Sequence, residues 1–216
     1  MMKIWQIYAV IISLCLIFTL IGVTGIEDIE MDGTELITGE IPKIDRDPPE
    51  ETEIAEFAAA CFWGPDAELG AQLGVIKTRV GFTEIDPKYQ DLGPESELVQ
   101  VVYDPDKISY LELLSLLEDE GDPSMFNPLA MFDPADDSQQ KHILRQNETF
   151  YELYREIYPD IDDFINSTAT ARVNGYLAGY GELDSPSDLY DLGLTRSGRI
   201  LLYNTWKDAS LDRCET

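Results

Sequence analysis

Residues 53–83 read EIAEFAAACFWGPDAELGAQLGVIKTRVGFT, and the reading of this stretch decides the architecture. Glu53–Ala60 is short and apolar and ends in three alanines, which predicts a buried strand. Phe62–Leu73 offers a helix that stops near Gly74. Val75–Phe82 alternates, Val75, Lys77 and Arg79 against Ile76, Thr78 and Val80, which predicts a second strand. Working outward, Glu97–Tyr103 is rich in β-branched residues and runs into Asp104-Pro105, a turn signal. Ser109 and Glu112 fit a capping box ahead of an apolar LLSLL, so a helix is expected to about Glu120, stopped at Gly121. Strand, helix, strand, strand, helix is the order of an α+β sandwich, with helices on a small sheet.

The C-terminal half has a different period. Ile143, Phe150, Tyr154 and Ile157 recur at helical spacing, as do Ala169, Val173, Tyr176, Leu177 and Tyr180. Gly179 and Gly181 end the second run. Ser185-Pro186 supplies an N-cap with proline at the first helical position, and Gly193 closes that short helix. This half is expected to be helical, with its aromatic stripe in the core. Asn147-Glu148-Thr149 and Asn166-Ser167-Thr168 are glycosylation sequons if the domain lies outside the cell.

Upstream, residues 4–23 read IWQIYAVIISLCLIFTLIGV, with no formal charge. About 20 apolar residues suffice to cross the hydrocarbon core as a helix. Lys3 precedes the run and Glu27, Asp28 and Glu30 follow it. This polarity places the N-terminus inside and the remainder outside the cytoplasm. Residues 1–24 are therefore expected to be a single-pass cell-membrane anchor. The alternative is a signal peptide cleaved after Thr24, which yields a secreted protein. Cys15, inside the run, reads as a small lipid-facing residue. Residues 25–52 are acidic and rich in Pro and Gly without sustained period, and read as an extended linker. Residues 53–133 form the expected core and 134–216 a helical C-terminal region.

Composition narrows the functions. The 216 residues carry 42 acidic and 15 basic side chains, a net charge of −27. Nucleic acid is excluded as a partner, because phosphate binding needs a surplus of Lys and Arg. The acid reads as a hydrated surface, or as a face for a basic partner. Three cysteines and one histidine give neither a disulfide framework nor a zinc cluster. Metal is not expected.

Cys61 stands where the first strand turns into the helix. A thiol there feels the positive end of the helix dipole and free N–H groups, which favour thiolate. Buried cysteines are also common and inert, and residue type alone leaves both readings open. His142, the sole histidine, reads as a surface or packing residue.

The motif Ala60-Cys61-Phe62-Trp63-Gly64 closely resembles the GCFWG signature of the peptide methionine sulfoxide reductase A family. Leu73–Thr83, LGVIKTRVGFT, is similar to that family's PGV-x-x-T-x-x-GYT. Ser96–Pro123 resembles its stretch from an acidic catalytic residue through YDP to HDP. QQKHILRQ at 139–146 resembles HQKYYLRQ, and STATARVNGYLAGYG at 167–181 resembles a tail of one branch. The resemblance covers about residues 54–123 and 132–202. It implies a two-layer sandwich with a ferredoxin-like core and a helical extension. It implies reduction of methionine S-sulfoxide in oxidised proteins, with no bound cofactor and a thioredoxin-like or dithiothreitol reductant. Cys61 would be the nucleophile and Glu97 the proton donor, with burial raising its pKa. Phe62, Trp63 and Phe82 would bind substrate. Apart from the resemblance, Cys214, the other cysteine outside residues 4–23, has two readings: on a mobile tail it resolves the sulfenic acid by disulfide formation, or it is a dangling unpaired thiol.

The departures are specific. Ala60 replaces glycine, Glu95 the histidine of GHAE, and Phe82 the tyrosine of GYT, losing a hydroxyl near the sulfoxide oxygen. The family's segment with GND and TQYRS has no counterpart between Pro123 and Gln140. Three functions follow: a tethered sulfoxide reductase, a degenerate relative that only binds methionine-containing peptides or partners, and a general thiol-redox protein using Cys61 and Cys214. The absence of CxxC argues against the last.

Overall fold

The computed structural model describes residues 35–59, 61–84, 95–117 and 132–215. The expected span at 4–23, with Cys15, lies outside the described residues. Among those described, no helix is long and apolar enough to cross a membrane. Residues 35–216 form one compact unit.

A short helix, α1 (Lys43–Arg46), precedes the sheet. The sheet forms where the sequence alternates. β1 (Glu53–Ala59), β2 (Val75–Glu84) and β3 (Glu95–Tyr103) pair antiparallel with β3 central. A two-residue β4 (Asp133–Pro134) adds to the free side of β2. Side chains alternate between faces. Val99, Val101 and Tyr103 of β3 are buried, opposite Phe57 and Ala55 of β1 and Val80 and Thr78 of β2. Glu97 continues this inward row at the far end of β3. Its cross-strand neighbours are Ala59 and Phe82.

Two helices join this core. α2 (Trp63–Gly70) contributes Leu69 and α3 (Tyr110–Leu116) contributes Leu113. The capping box on α3 is present: Ser109 Oγ accepts from Glu112 N at 3.3 Å, and Glu112 accepts from Ser109 N at 2.8 Å. The expected continuation to Glu120 lies outside the described residues. α2 ends at Gly70, not Leu73. The chain turns through Gly74 at φ +98°, where a Cβ would meet Lys107 and Ile108 at 2.9 Å.

The helical C-terminal half comprises α4 (His142–Gln146), α5 (Glu148–Ile157), α6 (Ile161–Asn166), α7 (Thr168–Leu177) and α8 (Arg196–Glu215), with a 3-10 turn at Pro186–Leu189. Asn147 and Asn166 of the two sequons stand at helix ends. Asn147 caps α5 by accepting from Phe150 N, and Asn166 donates to Asp162 O. α7 is buried along its whole length and packs on α2 at very short range. A Cβ on Gly70 would lie 2.6 Å from Ala171 O, and one on Gly175 would collide with Ala67 O. Arg172 of α7, 3% exposed, donates to Ala71 O at 2.7 Å and Val75 O at 3.2 Å. It thereby places a cation at the carbonyl end of α2.

The extended linker expected over 25–52 is not what residues 35–46 form. Ile37 is buried and bridges Leu194. Asp45 of α1 accepts from Thr168 N at 2.6 Å, Ala169 N at 3.3 Å and Ser167 Oγ at 2.9 Å, capping α7. Tyr158 also donates to Asp45, and its hydroxyl pKa is raised by burial and by that carboxylate. The Pro/Gly content hid this because the partners lie more than a hundred residues away.

Candidate functional site

β1 ends at Ala59, and two residues later Cys61 stands exposed at the entrance to α2. Phe62 is the N-cap of that helix, so its backbone N–H has no partner within the helix. Glu97 reaches it: Phe62 N donates to Glu97 Oε2 at 3.0 Å. The carboxyl group is thus held beside the residue that follows the thiol. The strand register explains the meeting. Glu97 is opposite Ala59, and β1 leads from Ala59 into Cys61.

Aromatic rings line this corner. Phe62 is 4% exposed and meets Phe82 edge to face at 5.7 Å and Trp63 at 6.2 Å. Phe82, half-buried, stands directly opposite Glu97 on β2. Trp63 stacks on His142, with ring centroids 3.8 Å apart and planes 6° from parallel. The histidine read as a surface or packing residue therefore stands in the row of rings beside Cys61.

Helix α2 also carries one member of a buried polar cluster. Asp66 of α2, 1% exposed, accepts from Thr78 Oγ1 and from Asn174 Nδ2, the latter at 3.0 Å. Lys141 is fully buried; its Nζ donates to Thr78 O at 2.6 Å, Thr78 Oγ1 at 2.9 Å and Asp66 Oδ1 at 3.5 Å. Burial pushes the Lys141 ammonium pKa down, and Asp66 opposes that shift. Lys141 holds φ +54°, a left-handed conformation uncommon outside glycine and Asn. Gln140 before it ties the edge of the sheet together, accepting from Val80 N at 2.9 Å and donating to Val80 O at 2.8 Å and Ala135 O at 3.1 Å. Residue-type reading missed Asp66, Gln140, Lys141 and Asn174, and placed His142 as surface or packing without its partner Trp63. Gln140, Lys141 and His142 had one signal, the run QQKH at the start of a helical segment, and Asp66 and Asn174 had none.

Among the sequence-derived candidates, Cys61, Glu97, Phe62, Trp63 and Phe82 come together at this corner. Cys214 falls in the last turn of α8, in helix rather than in an irregular tail. Among the described residues, no group of three or more His, Cys, Asp or Glu is placed to hold a metal ion.

Residues 53–130 match the family model described as peptide methionine sulfoxide reductase. The chain is 27% identical over 192 residues to a peptide methionine sulfoxide reductase of Drosophila melanogaster, covering 69% of this chain and 78% of the fly protein. It is 38% identical over 93 residues to that of Fragaria ananassa, covering 39% of this chain and 49% of the relative. It is 40% identical over 79 residues to the peptide methionine sulfoxide reductase MsrA of Methanococcoides burtonii, covering 33% and 52%. The chain thus spans about half the length of the last two relatives. Cys61, the Glu97-bearing strand and the rings of Phe62, Trp63 and Phe82 all lie within the stretch that matches the peptide methionine sulfoxide reductase model.

Proposed function

We propose that this chain reduces methionine S-sulfoxide in proteins, as a peptide-methionine (S)-S-oxide reductase. The observation that carries the reading is the Cys61–Glu97 corner. An exposed thiol at the start of α2 has a carboxyl group anchored on the very next amide. The Cys61 thiolate attacks the sulfoxide sulfur while Glu97 delivers a proton to the sulfoxide oxygen. The protonated oxygen passes to Cys61 Sγ as its bond to the substrate sulfur breaks, methionine leaves as the thioether, and the cysteine becomes a sulfenic acid. One thiol then condenses with the sulfenic acid, releasing water and forming a disulfide. A second thiol reduces that disulfide by exchange. Two thiols are oxidised for each sulfoxide reduced. An external thioredoxin-like protein supplies both thiols, or Cys214 forms the disulfide with Cys61 and the dithiol of the external protein reduces it to two free thiols, and no cofactor is involved. Phe62, Trp63 and Phe82 suit the apolar methylthio end of the substrate. The charge pattern around residues 4–23 supports a site outside the cytoplasm, held at the cell membrane or secreted after cleavage.

Phe82 favours a second reading. A hydrocarbon ring stands opposite Glu97 where a hydroxyl would bind the sulfoxide oxygen. A protein that binds methionine-containing peptides without turnover would tolerate this. Trapping separates the two. After one equivalent of a methionine S-sulfoxide peptide without added thiol, dimedone should label Cys61 in the Cys214→Ser protein. Absence of label with the peptide sulfoxide unconsumed would favour the binder.

A further inference from the structure

The geometry points to His142 as a positioning residue for the substrate site, holding the Trp63 indole in the orientation that receives the methylthio group. The inference rests on the proposed reading of Phe62 and Trp63 as the apolar wall of that site. Trp63 Nε1 is buried and has no hydrogen-bond partner among the described residues. No polar contact there fixes the plane of the indole, so ring packing must. Phe62 meets it edge to face, 70° from parallel. His142 covers one face in near-parallel stacking at 3.8 Å.

The imidazole is held firmly enough for this role. Lys141 immediately before it reaches Asp66 with a fully buried ammonium. Asp66 and Trp63 are three residues apart on α2 and so share one side of that helix. Residues 141 and 142 therefore grip α2 at two points, one by charge and one by ring stacking. The left-handed backbone of Lys141 turns the chain into α4 at this place. If the ring is lost, the indole gains freedom that binding must then remove, which weakens affinity. A flat ring is what the role requires, and charge is not.

The test is a binding measurement on the full chain carrying Cys61→Ser, so that no turnover intervenes. Isothermal titration with a capped methionine S-sulfoxide tripeptide is compared for this parent, for added His142→Ala and for added His142→Phe. His142→Ala should weaken binding by about two- to tenfold, the scale of one aromatic pair. His142→Phe should stay within about twofold of the parent on the same scale. Hydroxyl-radical labelling read by mass spectrometry should rise at Trp63 in His142→Ala and not in His142→Phe. Unchanged affinity in His142→Ala, a phenylalanine variant as weak as alanine, or no binding by the parent would overturn the inference. So would weaker binding with unchanged labelling, because the ring would then touch substrate itself. Failure of the activity reading is a separate result: wild type releases no methionine while these affinity ratios hold.

Discussion

Glu97 is one acid among 42, and only its place at the inward end of β3 sets it apart. Its carboxyl group on the Phe62 amide makes a direct prediction. Glu97→Gln keeps shape and hydrogen bonding but removes the acidic proton, so kcat should fall by about 10² to 10⁴. A rate within twofold of wild type in steady-state assays would remove Glu97 from that role. The acid, the thiol and the rings were legible as residues because they stand in contiguous motifs. Asp66 and Lys141 were not, because an acid and a lysine 75 positions apart look like surface charges until the fold buries both. Removing one partner of such a pair leaves the other uncompensated. Lys141→Met should therefore cost about 3 kcal/mol in chemical denaturation. The pH dependence has a definite sign. Burial lowers the Lys141 pKa in the folded state, so the unfolded chain binds more protons between that lowered value and the ordinary one near 10.4. Wild type should gain stability relative to Lys141→Met as pH rises through that window. A gap that narrows with rising pH would contradict the buried ammonium.

At the scale of elements, the helix that follows the thiol is positioned as much by α7 as by the sheet. Gly70 and Gly175 let the two helices touch backbone to backbone, and Asn174 and Arg172 reach across from α7 to Asp66 and Ala71. Gly175→Ala must push α2 away, because a Cβ there meets Ala67 O and lies 2.6 Å from the Ala71 Cβ. Overpacking of this kind costs about 1–3 kcal/mol. Thermal melts should show the loss, and kcat/KM should fall with it because Cys61 leads into the displaced helix. A stable variant of unchanged activity would mean that α7 does not set the site. The three longer strands and the α3 capping box were legible, since residue patterning and a Ser–Glu pair are local signals, whereas the central place of β3 in the sheet was not. The N-terminal segment was not. Asp45 caps a helix more than 120 residues downstream, and proline and glycine content carries no information about such a partner.

The whole molecule carries a net charge of −27 against a sheet-and-helix body that must stay compact. Like charges on one surface repel, and salt screens them, from a Debye length of about 30 Å at 0.01 M to about 3 Å at 1 M. The melting temperature should therefore rise with sodium chloride over that range in calorimetry. A fall would show that attractive ion pairs outweigh the repulsion. The functional claim stands apart from this surface and rests on the Cys61–Glu97 corner. Its most direct measurement is the release of methionine from a capped peptide by the full chain with dithiothreitol, supplied with either sulfoxide epimer and compared with Cys61→Ser. The account predicts multiple turnovers with the S epimer, none with the R epimer, and none with either for Cys61→Ser. Turnover that survives Cys61→Ser, or a wild type inert toward the S epimer, would contradict it.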